Sequence, residues 1–169
     1  MASTQATFES AHSDEVCIIK ISGRAICNST MDFLDLLKKE VAQGSHNFIL
    51  DVSDCLIMDS TFVGMLVYHL EQMKEEDHTV QFELFKPVKK VLDLLEDLGA
   101  IDLFHLVTEE LDVKNFTMFE SSQSIDKKSL LNKSIQAHET LLRLSMKQET
   151  RKMIESLLEM MKIELQSLE

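Results

Sequence analysis

The densest chemical potential in this sequence lies in one short segment, IMDSTFVGML, residues 57–66. Asp59 and Ser60 place a carboxylate beside a hydroxyl, directly ahead of an apolar stretch with helical character. A serine at a helix start can take a phosphoryl group, because the free N–H groups and the helix dipole tolerate the added charge of about −1.5 to −2. The same pair also suits plain N-capping, where an Asp or Ser side chain accepts a helix N–H bond for about 1 kcal/mol. Asp51, Asp54 and Asp59 fall near one strand end, where α/β proteins often place a site. They suit either a small acid group for phosphate-ester hydrolysis or a set of turns and caps. Cys17, Cys27 and Cys55 are widely spaced, the six histidines are scattered, and neither a C-x-x-C nor an H-x-x-x-H pair occurs. That spacing predicts reduced core thiols, no metal site and no cofactor.

These residues have to be positioned by the first hundred, which hold all four glycines and the one proline. Residues 16–22 (VCIIKIS) are β-branched and stop at Gly23, which predicts a strand, with a weaker partner at residues 6–9. Asn28, Ser29 and Thr30 are good caps for a helix whose stripe is Met31, Phe33, Leu34, Leu37 and Val41, ending near Gly44. Residues 47–52 read as a buried strand, and residues 55–58 carry the apolar character on to Asp59. There a second helix begins and runs to about Glu76. Its Val63, Met65, Leu66, Val67, Leu70 and Met73 cover most of the circumference, so it is buried on all sides or presents a binding face. Residues 79–85 alternate as a half-buried strand does. Pro87 opens a third helix with stripe Val88, Val91, Leu92, Leu95 and Leu98, Gly99 stops it, and a last short strand lies near residues 104–108.

After a linker at residues 113–123, residues 124–169 have no Gly or Pro and read as a helical extension. One apolar stripe holds Leu131, Ile135 and Leu142; a second, Ile154, Leu158, Met161, Leu165 and Leu168, follows the steps of a coiled-coil seam. Polar residues 147–152 separate them, as in a bent helix or a helical hairpin. Charge divides at the same place. Eight Lys and Arg stand against 21 Asp and Glu through Asp112, and nine stand against eight beyond it, within a net charge of −12. An acidic balance of this size argues against nucleic acid or an anionic membrane surface as partner. No run is long enough to span a bilayer, and the N-terminus shows no basic-then-apolar leader, which predicts a cytoplasmic chain.

The order of these elements, and Asp59, Ser60, Thr61, Val63 and Gly64 within it, resembles the STAS domain of bacterial anti-sigma factor antagonists. In that family an apolar strand end leads into Asp-Ser-Ser/Thr-Gly-Leu-Gly and an apolar helix. Asp51-Val-Ser-Asp54 stands ahead of the motif as the family's strand-end segment does, and the stretch from Pro87 resembles its third helix. Phe62 stands where the family has glycine. The resemblance covers residues 5–112 and implies a mixed sheet of four or five strands with helices mostly on one face. It also implies a protein-binding switch and no enzyme: Ser60 would be phosphorylated by an anti-sigma factor that is also a serine kinase, the unphosphorylated form would sequester that kinase, and a serine phosphatase would reset it. Asp54, Asp59, Ser60, Thr61, Phe62, Val63 and Gly64 become the expected partner-binding residues. Phe62 serves either as an exposed anchor, a favoured use of aromatics at interfaces, or as core.

Three other readings fit the same residues: a STAS adaptor in a lipid-transport complex without a phosphorylated form, a structural oligomer built on the extension, and a small hydrolase using the aspartates. The seam of residues 154–168 and the near-neutral charge of the extension predict a homodimer through residues 124–169.

Overall fold

The computed structural model describes residues 5–121 and 124–169. Two antiparallel strands, β1 (Thr7–Ser13) and β2 (Val16–Ala25), form a hairpin around Asp14, whose φ of 53° is left-handed and tolerated by Asp. Helix α1 (Thr30–Ala42) then leads to β3 (Asn47–Asp51) and β4 (Cys55–Met58), and α2 (Ser60–Glu76) to β5 (Gln81–Phe85). Helix α3 (Lys89–Asp97), β6 (His105–Val107) and β7 (Thr117–Met118) follow. The sheet order is β6-β5-β3-β2-β1-β7, with β4 paired to the far end of β2. β2, β3, β5 and β6 run parallel, as helical crossovers require.

The register explains the core. Cys17 lies opposite Phe48 and Phe48 opposite Phe82, while Ile19 lies opposite Leu50 and Leu50 opposite Leu84. Side chains alternate along a strand, so these residues share one face with Phe8 and Ile21. Phe33, Leu34 and Leu37 of α1, Phe62 and Leu66 of α2, and Val91 and Leu95 of α3 all pack into that single core. The helices therefore sit on one face, as expected.

Among the described residues seven strands form where four or five were expected. β7 has two residues, too few to show a period. β4 separates from β3 at residues 52–54, because β3 pairs with the start of β2 and β4 with its end, past a register shift between Gly23 and Arg24. β7 lies inside residues 113–123, where a linker was expected, and pairs with β1. Pro87 stands two residues ahead of α3, whose N-cap is Val88. Gly99, at φ 71°, ends α3: its N–H bonds to Glu96 and the Ala100 N–H to Leu95. A side chain at Gly99 would also collide with the Ser145 carbonyl of the extension.

The extension is a helical hairpin, α4 (Lys127–Leu141) and α5 (Gln148–Ser167). Lys127 pairs with Glu164 at 2.8 Å and Lys162 with Glu139 at 3.2 Å, so both ends of α4 reach the later part of α5 and the two helices cross. Arg151 closes the turn by donating to the carbonyls of Leu142 and Leu144. The hairpin lies on its own domain, not away from it as a stalk. Ala137, Leu141 and Ile154 join the main core, and Leu158 is also buried. Only the later part of the expected seam stays open, with Leu168 exposed and Met161 and Leu165 half-buried. Among the described residues no helix is long and apolar enough to cross a membrane.

Helix α2 therefore has the sheet on one side and α4 on the other. Thr61, Phe62, Val63, Gly64, Met65, Leu66, Val67 and Leu70 are all buried. Phe62 is 1% exposed and packs with Phe33 and Phe8 at ring-centroid distances of 5.1 and 6.4 Å. Phe62→Ala should cost about 3–5 kcal/mol by leaving a cavity among these rings, a loss that urea unfolding of the variant would measure.

His69 of α2 holds its Nε2 buried without a hydrogen-bond partner, and burial, with Lys133 and Lys38 nearby, pulls its pKa from 6.5 down to about 4. Between those values the unfolded chain binds the proton and the folded chain does not. Stability is therefore full above pH 6.5 and falls as pH drops towards 4, by about 3 kcal/mol in all from this group. His69→Gln should flatten that slope in unfolding midpoints measured from pH 7 to pH 4.5; parallel slopes in variant and wild type would refute the assignment.

Candidate functional site

The site is organised by Asp59. Its backbone is extended, and its carboxylate accepts the Phe62 N–H at 2.9 Å, so it is the N-cap of α2. The second carboxylate oxygen accepts the Cys27 N–H at 2.8 Å, from the short 3-10 turn Cys27–Ser29 that joins β2 to α1. One side chain thus ties the start of α2 to the β2–α1 corner. Burial pushes the Asp59 pKa up, against the opposing pull of these hydrogen bonds and of His138.

Ser60 is the first residue of α2 and is half-buried. Its hydroxyl lies 2.9 Å from Nε2 of His138 on α4. The other ring nitrogen, Nδ1, is 2.7 Å from the Ser134 carbonyl, which can only accept, so Nδ1 carries the proton. Nε2 is then the acceptor and the Ser60 hydroxyl the donor. His138 is fully buried, and burial lowers its pKa, keeping the ring neutral. Beside it, the Cys27 thiol contacts the Ser134 hydroxyl at 3.3 Å.

Gly64 marks the closest approach. A Cβ placed there would stand 2.6 Å from the Ala137 carbonyl oxygen and 2.7 Å from the Ala137 Cβ, so only glycine lets α4 lie this close to α2. Two exposed ion pairs flank the contact, Arg143 with Glu71 at 2.6 Å and Lys147 with Asp97 at 3.7 Å.

The expected partner-binding residues therefore separate into two groups. Asp59 and Ser60 lie together at the half-buried end of α2, and Asp54 is exposed on the β3–β4 loop, 3.1 Å from Lys20. Thr61, Phe62, Val63 and Gly64 are buried, and Phe62 points into the aromatic core rather than outward, so it is no exposed anchor. The three aspartates do not converge. Asp51 accepts from Ser53 at 2.6 Å within its own turn, Asp54 pairs with Lys20, and Asp59 caps α2. This is the arrangement of turns and caps, not of a hydrolytic acid group.

Two features were not legible in advance. No spacing pattern links positions 60 and 138; only the docking of α4 brings them together. The second is a cluster of His12, Cys17 and Glu40, whose side-chain ligand atoms come within 4.8 Å of one another. The strand pairing of His12 with Cys17 is the one signal that could have suggested it. Glu40, 2% exposed, accepts from Ser10 at 3.0 Å and meets His12 at 2.6 Å. Burial, with Glu40 alongside, pushes the Cys17 thiol up to about 12. The cluster's polar atoms are met within it, as a buried carboxylate requires.

A family model described as the STAS domain matches residues 7–122. No curated protein matches the chain. Among solved structures, the anti-sigma factor antagonist SpoIIAA in its unphosphorylated form is similar at a TM-score of 0.52 and 20% identity, covering 60% of this chain and 89% of that one. A candidate anti-sigma factor antagonist of Thermotoga maritima gives 0.54 and 21%, covering 59% and 84%. An anti-sigma factor antagonist from Mycobacterium paratuberculosis gives 0.52 and 16%, covering 62% and 87%. These structures share the fold. The expectation drawn from the Asp59-to-Gly64 motif and the order of strands and helices around it holds: the chain belongs to the STAS domain family.

Proposed function

We propose that this protein is a phosphorylation-controlled protein-binding switch, an anti-sigma factor antagonist that sequesters an anti-sigma factor with serine kinase activity and so regulates transcription. The observation that carries the reading is Ser60, the first residue of α2 and half-buried behind the Asp59 cap. Ser60 is the phosphoacceptor in this reading, and a serine phosphatase restores the hydroxyl. The start of α2 supplies free N–H groups that tolerate an anion, so the sheet stays folded when Ser60 is modified. A partner helix lying across this end of α2 instead meets about two added negative charges beside Asp59. Asp54, on the β3–β4 loop and paired with Lys20 of β2, belongs to the proposed partner-binding residues as well.

Ser60→Asp should weaken binding of the kinase-type partner at least tenfold, while Ser60→Ala binds at least as tightly as wild type. Affinity capture from the native cell extract with mass spectrometry, followed by binding isotherms on the captured kinase, is the measurement. Equal affinity in all three proteins would remove Ser60 from the mechanism.

A homodimer through residues 124–169 belongs to the same proposal, on narrower ground than the full seam. Ile154 and Leu158 are spent inside the chain, whereas Met153, Met160, Ile163 and Leu168 of the C-terminal region remain exposed. Self-association would use that outer face of α5. Light scattering of the full chain should give a dimer mass that Met160→Glu with Ile163→Glu reduces to a monomer; a wild-type monomer at all concentrations would end this part of the proposal.

A further inference from the structure

The surface that the proposed partner would occupy is already covered by a helix of the same chain. Helix α4 lies across the first turns of α2, with Ala137 against the bare backbone of Gly64 and His138 on the Ser60 hydroxyl. We infer that α4 is a cis occupant of a helix-docking surface on α2, competing there with the partner, and that a phosphoryl group on Ser60 expels it. The inference rests on the reading of Ser60 as phosphoacceptor and adds what the hairpin does.

The shape of the surface points to a helix as ligand. Gly64 leaves a notch that takes a small residue, and Ala137 fills it, while Leu141, one turn on, is buried in the core beside it. Residues four apart on a helix face reproduce that contact, and α4 is the example present. Its flanking pairs, Arg143 with Glu71 and Lys147 with Asp97, are exposed and exchangeable with water. The hairpin is thus held at this end by an apolar strip, by the half-buried hydrogen bond between Ser60 and His138, and by the Cys27–Ser134 contact beside it.

That bond is what modification destroys. Transfer of the terminal phosphoryl group of the kinase's nucleoside triphosphate to Ser60 Oγ releases the nucleoside diphosphate and the hydroxyl proton, so Nε2 of His138 loses the donor it accepts from. The three added oxygens do not fit into a 2.9 Å contact. If Ser60 turns outward to make room, Nε2 stays fully buried with no partner, since Nδ1 is committed to Ser134. In the unmodified chain burial opposes a charge on that ring. Asp59 adds a half-buried carboxylate beside the phosphate. Each route weakens the docking of α4, and His138 sits next to Ala137, so withdrawal of the ring lifts the helix from Gly64. A partner helix seated in the same notch would be displaced by the same charge.

The test compares full-length protein carrying serine or phosphoserine at position 60, the latter installed during translation so that no kinase is needed. Hydrogen exchange of α4 amides should quicken at least tenfold in the phosphoserine protein, while β2 and β3 amides keep their protection. Unchanged α4 protection would overturn the inference. Ala137→Leu, which crowds the Gly64 notch without adding charge, should speed α4 exchange in the same way, and should let a synthetic peptide of residues 124–145 bind in trans. Loss of protection in β2 and β3 of that variant would overturn the claim that the hairpin detaches from a folded domain. A kinase that ignores Ser60 would refute the proposed function and leave these exchange measurements standing; unchanged α4 exchange would refute this inference alone.

Discussion

Helix α2 carries apolar side chains on nearly every side, and in this chain both of its faces are covered. Its Val63, Met65, Leu66, Val67 and Leu70 surround the axis, and a helix apolar all round has to be enclosed. The sheet and α1 enclose one side, where Phe8 and Phe33 pack on Phe62. The other side is enclosed by α4, and only because Gly64 removes the side chain that would hold the two helices apart. Much else follows from that close approach. It decides where the hairpin lies, why Ala137, Leu141 and Ile154 count as core, and which residue faces Ser60. Gly99 repeats the arrangement at the other end of the hairpin, ending α3 and leaving space for the Ser145 carbonyl.

Polar groups inside this packing are arranged so that few remain unmet. Asp59 spends one oxygen on the α2 cap and the other on the Cys27 amide, which sets the start of α2 against the end of β2. His138 spends one nitrogen on its own helix and the other on Ser60. Glu40 is held by Ser10 and His12. A buried polar atom left without a partner costs more than an ordinary hydrogen bond contributes, so such networks fix which surfaces can meet. The near-neutral extension suits the acidic domain, but exposed ion pairs such as Arg143 with Glu71 contribute about 0–1 kcal/mol each and orient the hairpin more than they hold it.

The STAS fold explains the position of Ser60, while the hairpin belongs to this chain's residues beyond the family match at 122. Their consequence is that a surface expected to face a partner is mostly interior. Thr61, Val63 and Gly64, which would line it, are buried, Gly64 directly against Ala137 of α4. The candidate site is thus a half-buried serine at the edge of an intramolecular interface.

Alternation and β-branching marked the strands at residues 16–22, 47–52 and 79–85, because side-chain period is a local property of a strand half-buried on one face. Capping residues, Pro87 and Gly99 bounded the helices for a similarly local reason, and the motif from Asp59 to Gly64 placed the candidate site. The sequence by itself also showed that α2 was apolar all round and that residues 124–169 were helical with a break between two stripes. It left open what covered α2, whether the break was a bend or a hairpin, and whether Phe62 faced in or out. Those answers depend on contacts between residues far apart in the chain: Gly64 with Ala137, Ser60 with His138, and Phe62 with Phe8 and Phe33. Composition and spacing record which residues can be buried, whereas only the packed tertiary structure decides against what, since several surfaces of similar apolarity could have closed over the same helix.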